Sequence, residues 1–218
     1  MATREVLREL AALHTQHSGQ AVDTEAGGGV DIARRVRAGE AFDVVALADK
    51  VIDALVAEGL LTGPRVDLFR SGVAVAVPAD APDLPLADED DLRRAVLAAP
   101  TLSYSTGPSG TWLEQLFARW GVLEQLRPRI VVPPPGVPVG SLVAEGKAQL
   151  GFQQLSELMN LPGIRVLGPL PPAVQTITVF SAAVGARCAD LPAARALLES
   201  LASPAVAAVK QRHGMEGA

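Results

Sequence analysis

The chain has 218 residues, enough to bury one large core or two smaller ones, and its length alone does not choose between them. No stretch approaches the roughly 18 consecutive apolar residues of a membrane helix, so a soluble protein without membrane insertion is expected. A net charge of -5 with scattered basic residues gives no clustered positive potential, which argues against nucleic acid as a partner, and the single cysteine, Cys188, excludes an internal disulfide and reads as a small apolar filler.

Val6, Leu7, Leu10, Leu13 and His14 fall on one helical face, which predicts an opening helix capped by Thr3 and stopped by Gly19. Met1-Ala2-Thr3-Arg4-Glu5 leads into it without a basic and then apolar leader. The chain as written is therefore expected in the cytoplasm, or in the periplasm if a leader has been removed. Residues 21–24 read as a short strand, Gly27-Gly28-Gly29 as a turn, 31–38 as a helix ended by Gly39, 42–47 as a buried strand and 49–58 as a helix stopped by Gly59. Strands alternating with helices across short glycine-marked connections predict an α/β fold with a parallel sheet covered on both faces.

Residues 66–77 break that alternation as a long extended stretch interrupted by Gly72, long enough to run from one lobe into another. Beyond a Pro- and Asp-rich loop the alternation resumes with helix 92–98, strand 101–104, helix 109–120, strand 129–132, helix 139–145 and strands 149–152 and 164–167. A second extended stretch, 176–184, precedes helices at 191–201 and 204–213. Two extended crossings predict a discontinuous first lobe, residues 1–72 with 176–218, a second lobe, residues 73–175, and a ligand cleft between them.

Three segments carry candidate chemistry. Tyr104-Ser105-Thr106-Gly107-Pro108-Ser109-Gly110-Thr111-Trp112 follows a strand and opens a helix, aiming backbone N–H groups, the positive helix end and several hydroxyls at one point. That is a ready anion site; the alternative is that Ser109 only caps its helix. The Lys and spacing of a Walker loop are absent, so a nucleotide is not indicated. Gly27-Gly28-Gly29, ahead of Ala33-Arg34-Arg35, lets a ligand approach the backbone, and reads equally as a tight turn needing positive φ. Gly151-Phe152-Gln153-Gln154-Leu155-Ser156-Glu157 places polar residues at a strand end, where ligands collect in open α/β sheets, though Glu157 reads equally as a solvated helix-start carboxylate. His14 and His17 have i, i+3 spacing but nothing to complete a metal site, so neither metal nor cofactor is predicted. Ser109 lies one residue off a nucleophile elbow with no Asp-His pair to activate it, which argues against a serine hydrolase.

The run GQAVDTEAGGGVDIARRVRAGEAFDVVALAD resembles solute-binding proteins of the molybdate-binding type. So do Gly107-Pro108-Ser109-Gly110 before a helix, the approach from Gly146 to Gly151, and Leu201-Ala202-Ser203-Pro204 opening the last helix. The resemblance covers nearly the whole chain. It implies the two-lobed type 2 periplasmic-binding-protein fold, hinged on crossing strands near Ser71-Gly72 and Val179-Phe180, with a small oxyanion or carboxylate as ligand and a transporter or a second copy as partner. Carried over, the ligand contacts are Gly27, Gly28, Gly29, Val30, Pro108, Ser109, Gly110, Gly136, Val137 and Gln154, to which Thr106 and Ser156 add hydroxyls. The family's serine-rich second loop is Gly-Gly-Gly here and its ligand-binding Tyr is Gln154, departures that point away from molybdate itself. Family members also begin with a strand and a Ser-containing loop before the first helix; that strand is expected to be missing here, so that either another segment fills the gap or the natural start lies upstream of Met1. The run GFQQLSELMNLPGIRVLGPLPPAVQTITVFSAAV resembles a side branch of that family, and a related member of the wider superfamily is aconitate isomerase. This implies an alternative, a cofactor-free isomerase of a small unsaturated polycarboxylate, with Glu157 or Tyr104 moving the proton and the loops at Gly27, Thr106 and Ser109 holding carboxylates.

Overall fold

A computed structural model describes residues 1–134 and 136–218 and divides the chain into two units, Met1–Ser71 with Thr178–Ala218, and Gly72–Ile177. In the first unit α1 (Arg4–Ser18) buries Val6, Leu10, Ala11 and His14 and ends at Gly19, whose φ of 74° suits a residue without a Cβ. Thr3 stands at the N-cap position but makes no capping bond, because its φ and ψ of -92° and 1° are not the extended conformation that turns a side chain back onto the helix. The strand expected at 21–24 does not form; Ala21, Asp23 and Thr24 are exposed, so that stretch has no face to bury. Helix α2 (Gly29–Arg37) starts two residues early, with Gly28 as its extended N-cap. None of Gly27, Gly28 and Gly29 has a positive φ, which removes the tight-turn reading. What limits Gly27 is space, since a Cβ there comes within 3.0 Å of Ile32 Cδ1. Strand β1 (Val44–Ala48) and α3 (Asp49–Ala57) follow, and then β2 (Leu61–Pro78), whose residues from Gly72 onward belong to the second unit.

The second unit continues with α4 (Glu89–Ala98), capped by Asp88 accepting from the Asp91 N–H at 2.8 Å, then β3 (Leu102–Tyr104), α5 (Pro108–Arg119) and α6 (Leu123–Leu126), which tightens into a 3₁₀ turn. The strand expected at 129–132 reduces to one bridge between Ile130 and Leu102; Pro133 and Pro134 follow directly and have no N–H to extend the ladder. Then come α7 (Val139–Ala144), β4 (Leu150–Gln154), α8 (Leu155–Leu158) and β5 (Ile164–Pro169). Strand β6 (Ile177–Gly185) enters the first unit, which closes with α9 (Leu191–Ala202), α10 (Ala207–Arg212) and the two-residue β7 (Glu216–Gly217). The single helix expected at 204–213 is a 3₁₀ turn, Pro204–Val206, followed by α10.

The pairing is mixed, not parallel as expected. In the first unit β6 lies between β1 and β2, antiparallel to β1, and β7 adds to β2 at Phe69 and Arg70. In the second unit β3 and β4 are parallel, whereas β2 is antiparallel to both β4 and β5. Alternation of strand and helix was a fair guide only where a helix crosses over, as α5 and α7 do between β3 and β4; the long crossing strands do not obey it.

Each unit has its own apolar interior. In the first, Val6 and Leu10 meet Leu68, Phe69, Ala182, Leu198 and Leu201, while Ile52 and Leu55 pack with Val36, Val45 and Leu61. In the second, Phe117 and Phe152 pack edge to face at 6.4 Å among Val75, Leu102, Leu113 and Leu150. Each large side chain so buried contributes about 1.5–3 kcal/mol, and this fixes the ends of β3 and β4 where the candidate site lies.

Candidate functional site

The turn between β3 and α5 is built from short side chains pressed against backbone. Ser109 is the second residue of α5 and only 2% exposed, and its Oγ lies 2.9 Å from Ser105 Oγ. Ser105 Oγ also accepts the Gly107 N–H at 3.3 Å. The N-cap is Gly107, so Ser109 is not the cap. A Cβ on Gly110 would lie 1.6 Å from the Ser105 carbonyl oxygen and 3.0 Å from Tyr104 Cδ2, so only glycine lets the first turn of α5 come this close. Thr106 and Pro108 are exposed on the same turn. Helices α1, α2, α3 and α4 carry Glu5, Asp31, Asp49 and Glu89 in their first turns, and α9 is capped by Asp190. The twelve-residue α5 has no acidic residue in its first turn and no side-chain cap, which leaves its positive end uncompensated.

The turn after β4 lies on the same edge of the sheet, because Tyr104 and Phe152 are register partners in adjacent parallel strands about 4.8 Å apart. Gln153 and Gln154 are both buried there. Gln153 Oε1 accepts the Val139 N–H at 2.9 Å and so ties the start of α7 to β4. Gly136, with φ 79°, and Val137, whose N–H donates to Pro134 O at 3.0 Å, form the exposed turn that leads into α7. Ser156 Oγ is buried with no partner among the described residues. The Glu157 carboxyl is half-buried, and burial pushes its pKa above the usual carboxylate range. Tyr104 does not join these groups: its hydroxyl donates to Glu114 Oε1 at 3.1 Å, and burial and that carboxylate push its phenol up, so it is held protonated and committed.

In the first unit, Gly27, Gly28 and Gly29 precede Val30, which is 77% exposed, and the Gly27 carbonyl accepts from the Met1 ammonium at 3.0 Å. The nearby Arg35 is held between Glu25 and Glu40, which satisfy its guanidinium. A pocket of about 180 Å³ in this unit, lined by Phe42, Val45, Leu60 and Arg187, contains none of the predicted residues. His14 Nε2 meets Gln20 Oε1 at 3.2 Å and His17 Nδ1 meets Leu13 O at 2.7 Å, so the two imidazoles serve separate partners.

Two residues outside the predicted set belong to this sheet edge, Ser105 and Gln153. The signal for Gln153 was present in the sequence, since two adjacent glutamines ending an otherwise apolar strand must both be satisfied indoors.

Residues 1–216 match the family described as bacterial extracellular solute-binding protein. An aconitate isomerase from a Pseudomonas species is 35% identical over 219 residues, covering 96% of this chain and 82% of that protein. Among solved structures, the periplasmic molybdate-binding protein of Azotobacter vinelandii superposes with a TM-score of 0.79 at 23% identity, over 98% of this chain and 94% of that one. Peb3 from Campylobacter jejuni gives 0.73 at 12% identity, over 99% and 96%. These two likenesses carry the fold, an α/β architecture of the periplasmic-binding-protein kind, as the sequence resemblance implied. Among the described residues no helix is long and apolar enough to cross a membrane.

Proposed function

Because the chain belongs to the bacterial extracellular solute-binding protein family, we propose that it binds a small oxyanion or carboxylate and that the turn from Ser105 to Gly110 anchors the anion. The observation that carries this is the pair of serine hydroxyls, 2.9 Å apart, at the uncompensated N-terminus of α5. One hydroxyl donates to the other, which leaves the second proton, with the free N–H groups of the first turn, for a negatively charged acceptor. In this role the protein works outside the cytoplasm and hands its ligand to a membrane transporter. Calorimetry against molybdate, tungstate, sulfate, phosphate, citrate and cis-aconitate tests the reading. Ser109→Ala is expected to weaken the binding found by about 1–3 kcal/mol, the range of a charge-assisted hydrogen bond. An unchanged affinity removes Ser109 from the site.

A second reading, favoured by the 35% identical aconitate isomerase and by the raised pKa of Glu157, is isomerisation of a small unsaturated polycarboxylate. The Ser105–Gly110 turn holds one carboxylate. Glu157, as carboxylate, removes a proton from the carbon beside the double bond; the electron pair spreads along the allylic system, and the Glu157 carboxyl, its proton exchanged with solvent, delivers one to the other end. A carboxyl whose pKa is raised by burial suits both halves of that transfer. With cis-aconitate in deuterated water, proton NMR is expected to show deuterium entering substrate together with the trans isomer, and Glu157→Gln to stop both. Binding without exchange leaves the first reading alone.

A further inference from the structure

We infer that Trp112 is a positioning residue for the Ser105–Gly110 turn, tying the start of α5 to a clasp that Gln175 makes on β2. The inference rests on reading that turn as the anion site. Trp112 lies three residues beyond Ser109 in α5, so the two are neighbours on the helix surface. The half-buried indole donates from Nε1 to the Val174 carbonyl at 3.1 Å. Val174 is itself fully buried and ends a 3₁₀ turn, its N–H on Pro171 O at 2.9 Å. The next residue carries the contact onward. Gln175 Oε1 accepts the Val73 N–H and Nε2 donates to the Val73 carbonyl, each at 3.0 Å, while the same Oε1 accepts the Thr176 N–H at 2.9 Å. One side-chain amide thus takes the place of a strand neighbour just before β6 begins. Gly72 makes way for it, since a Cβ there would come within 3.1 Å of Gln175 Nε2. Two side chains therefore join the start of α5 to the segments by which the chain enters and leaves the second unit, at Gly72 and Ile177.

A contact that serves stability alone is the competing role, and affinity together with the indole N–H signals separates the two. Trp120, at the far end of α5, donates its indole N–H to Glu89 Oε1 at 2.6 Å and is the internal reference. Trp112→Phe, which keeps a ring and loses the donor, is compared with Gln175→Met and the double variant. The measurements are melting midpoint and calorimetric affinity for the tightest binder among molybdate, tungstate, sulfate, phosphate, citrate and cis-aconitate. Each single variant is expected to weaken binding about threefold or more, and the double variant to be less than about twofold worse than the weaker single one, because both cut the same chain of contacts. In the wild type the anion is expected to shift the Trp112 indole N–H in two-dimensional NMR and to slow its exchange about fivefold, with Trp120 unmoved; in Gln175→Met that slowing is expected to be lost. Wild-type affinity in Trp112→Phe with a lowered melting midpoint overturns the inference and leaves the indole as a packing contact. Losses that multiply in the double variant overturn it too, because the two residues then act independently. If Gln175→Met does not fold, Gln175→Glu takes its place, keeping the acceptor for Val73 and Thr176 and losing the donor. If the wild type binds none of the six anions, the anion reading falls and the inference with it; a wild type that binds, beside variants that bind equally well, overturns the inference alone.

Discussion

Gly110 shows how one missing side-chain atom can set the shape of a turn. Its Cβ would sit inside the Ser105 carbonyl oxygen, so Gly110→Ala must push either the loop or the first turn of α5 outward. Overpacking of this kind costs about 1–3 kcal/mol. It also separates the Ser105 and Ser109 hydroxyls, so the variant is expected to melt lower and to lose anion affinity together. A folded Gly110→Ala protein with wild-type affinity would show that the close approach is unnecessary for binding. The importance of this residue was half legible in the sequence: a Gly-Pro-Ser-Gly turn between a strand and a helix marks a candidate anion site by composition, but which glycine is sterically required depends on the path of Ser105, which composition does not contain. Tyr104 is the converse case. Its place beside the turn suggested proton transfer, and its hydroxyl is instead committed to Glu114, one and a half turns into the next helix.

At the level of elements, what could be read was whatever has a local cause. Helix stops at Gly19, Gly39 and Gly59 stand where positive φ values occur, and the long extended run around Gly72 is one continuous strand. Strand direction has no local cause, and there alternation misled. Nor could the sequence show which polar groups brace the long strands against each other. Ser181 on β6 is fully buried and donates to Asp67 Oδ1 on β2 at 2.6 Å, while Arg65 Nε meets the same oxygen at 2.9 Å. The Ser181 hydroxyl and then the Arg65 guanidinium hold the Asp67 carboxyl below its ordinary range. A depressed folded pKa contributes stability that is present above the unfolded aspartate value and is lost as pH falls through the folded one. Ser181→Ala is thus expected to cost about 1 kcal/mol at neutral pH, modest because Asp67 is partly exposed, and the gap from wild type should narrow in acid. Urea unfolding at pH 7 and near pH 2.5 reads both numbers; an equal gap at the two values would assign the loss to packing and not to the carboxylate.

For the whole molecule, chain continuity sets the two units apart. The apolar interior of the first unit needs both ends of the sequence: Val6, Leu10, Leu68 and Phe69 come from Met1–Ser71, whereas Ala182, Leu198, Leu201 and Met215 come from Thr178–Ala218. The smaller cluster around Ile52 and Leu55 lies almost wholly in Met1–Ser71, but this larger one is complete only when both segments meet, and joining them means closing a loop over the entire second unit, at an entropic cost that grows slowly with length but comes before any contact repays it. The second unit is one uninterrupted stretch, Gly72–Ile177, well above the roughly 40 residues below which a domain needs outside support. Its main cluster runs from Val73 to Val174 without borrowing a residue, and Gln175 fastens the far end by accepting the Val73 N–H and donating to the Val73 carbonyl, each at 3.0 Å. Both turns of the candidate site, after β3 and after β4, lie inside it. A fragment spanning 72–177 is therefore expected to fold alone, with a cooperative melt and a dispersed amide spectrum, and to keep weakened affinity for the anion that the whole chain binds. The complementary fragments, 1–71 and 178–218, are expected to be unfolded separately. A 72–177 fragment without cooperative melting would show that the long strands β2 and β6 cannot be cut at Ser71 and Ile177 without losing the second unit, and that its stability depends on the first.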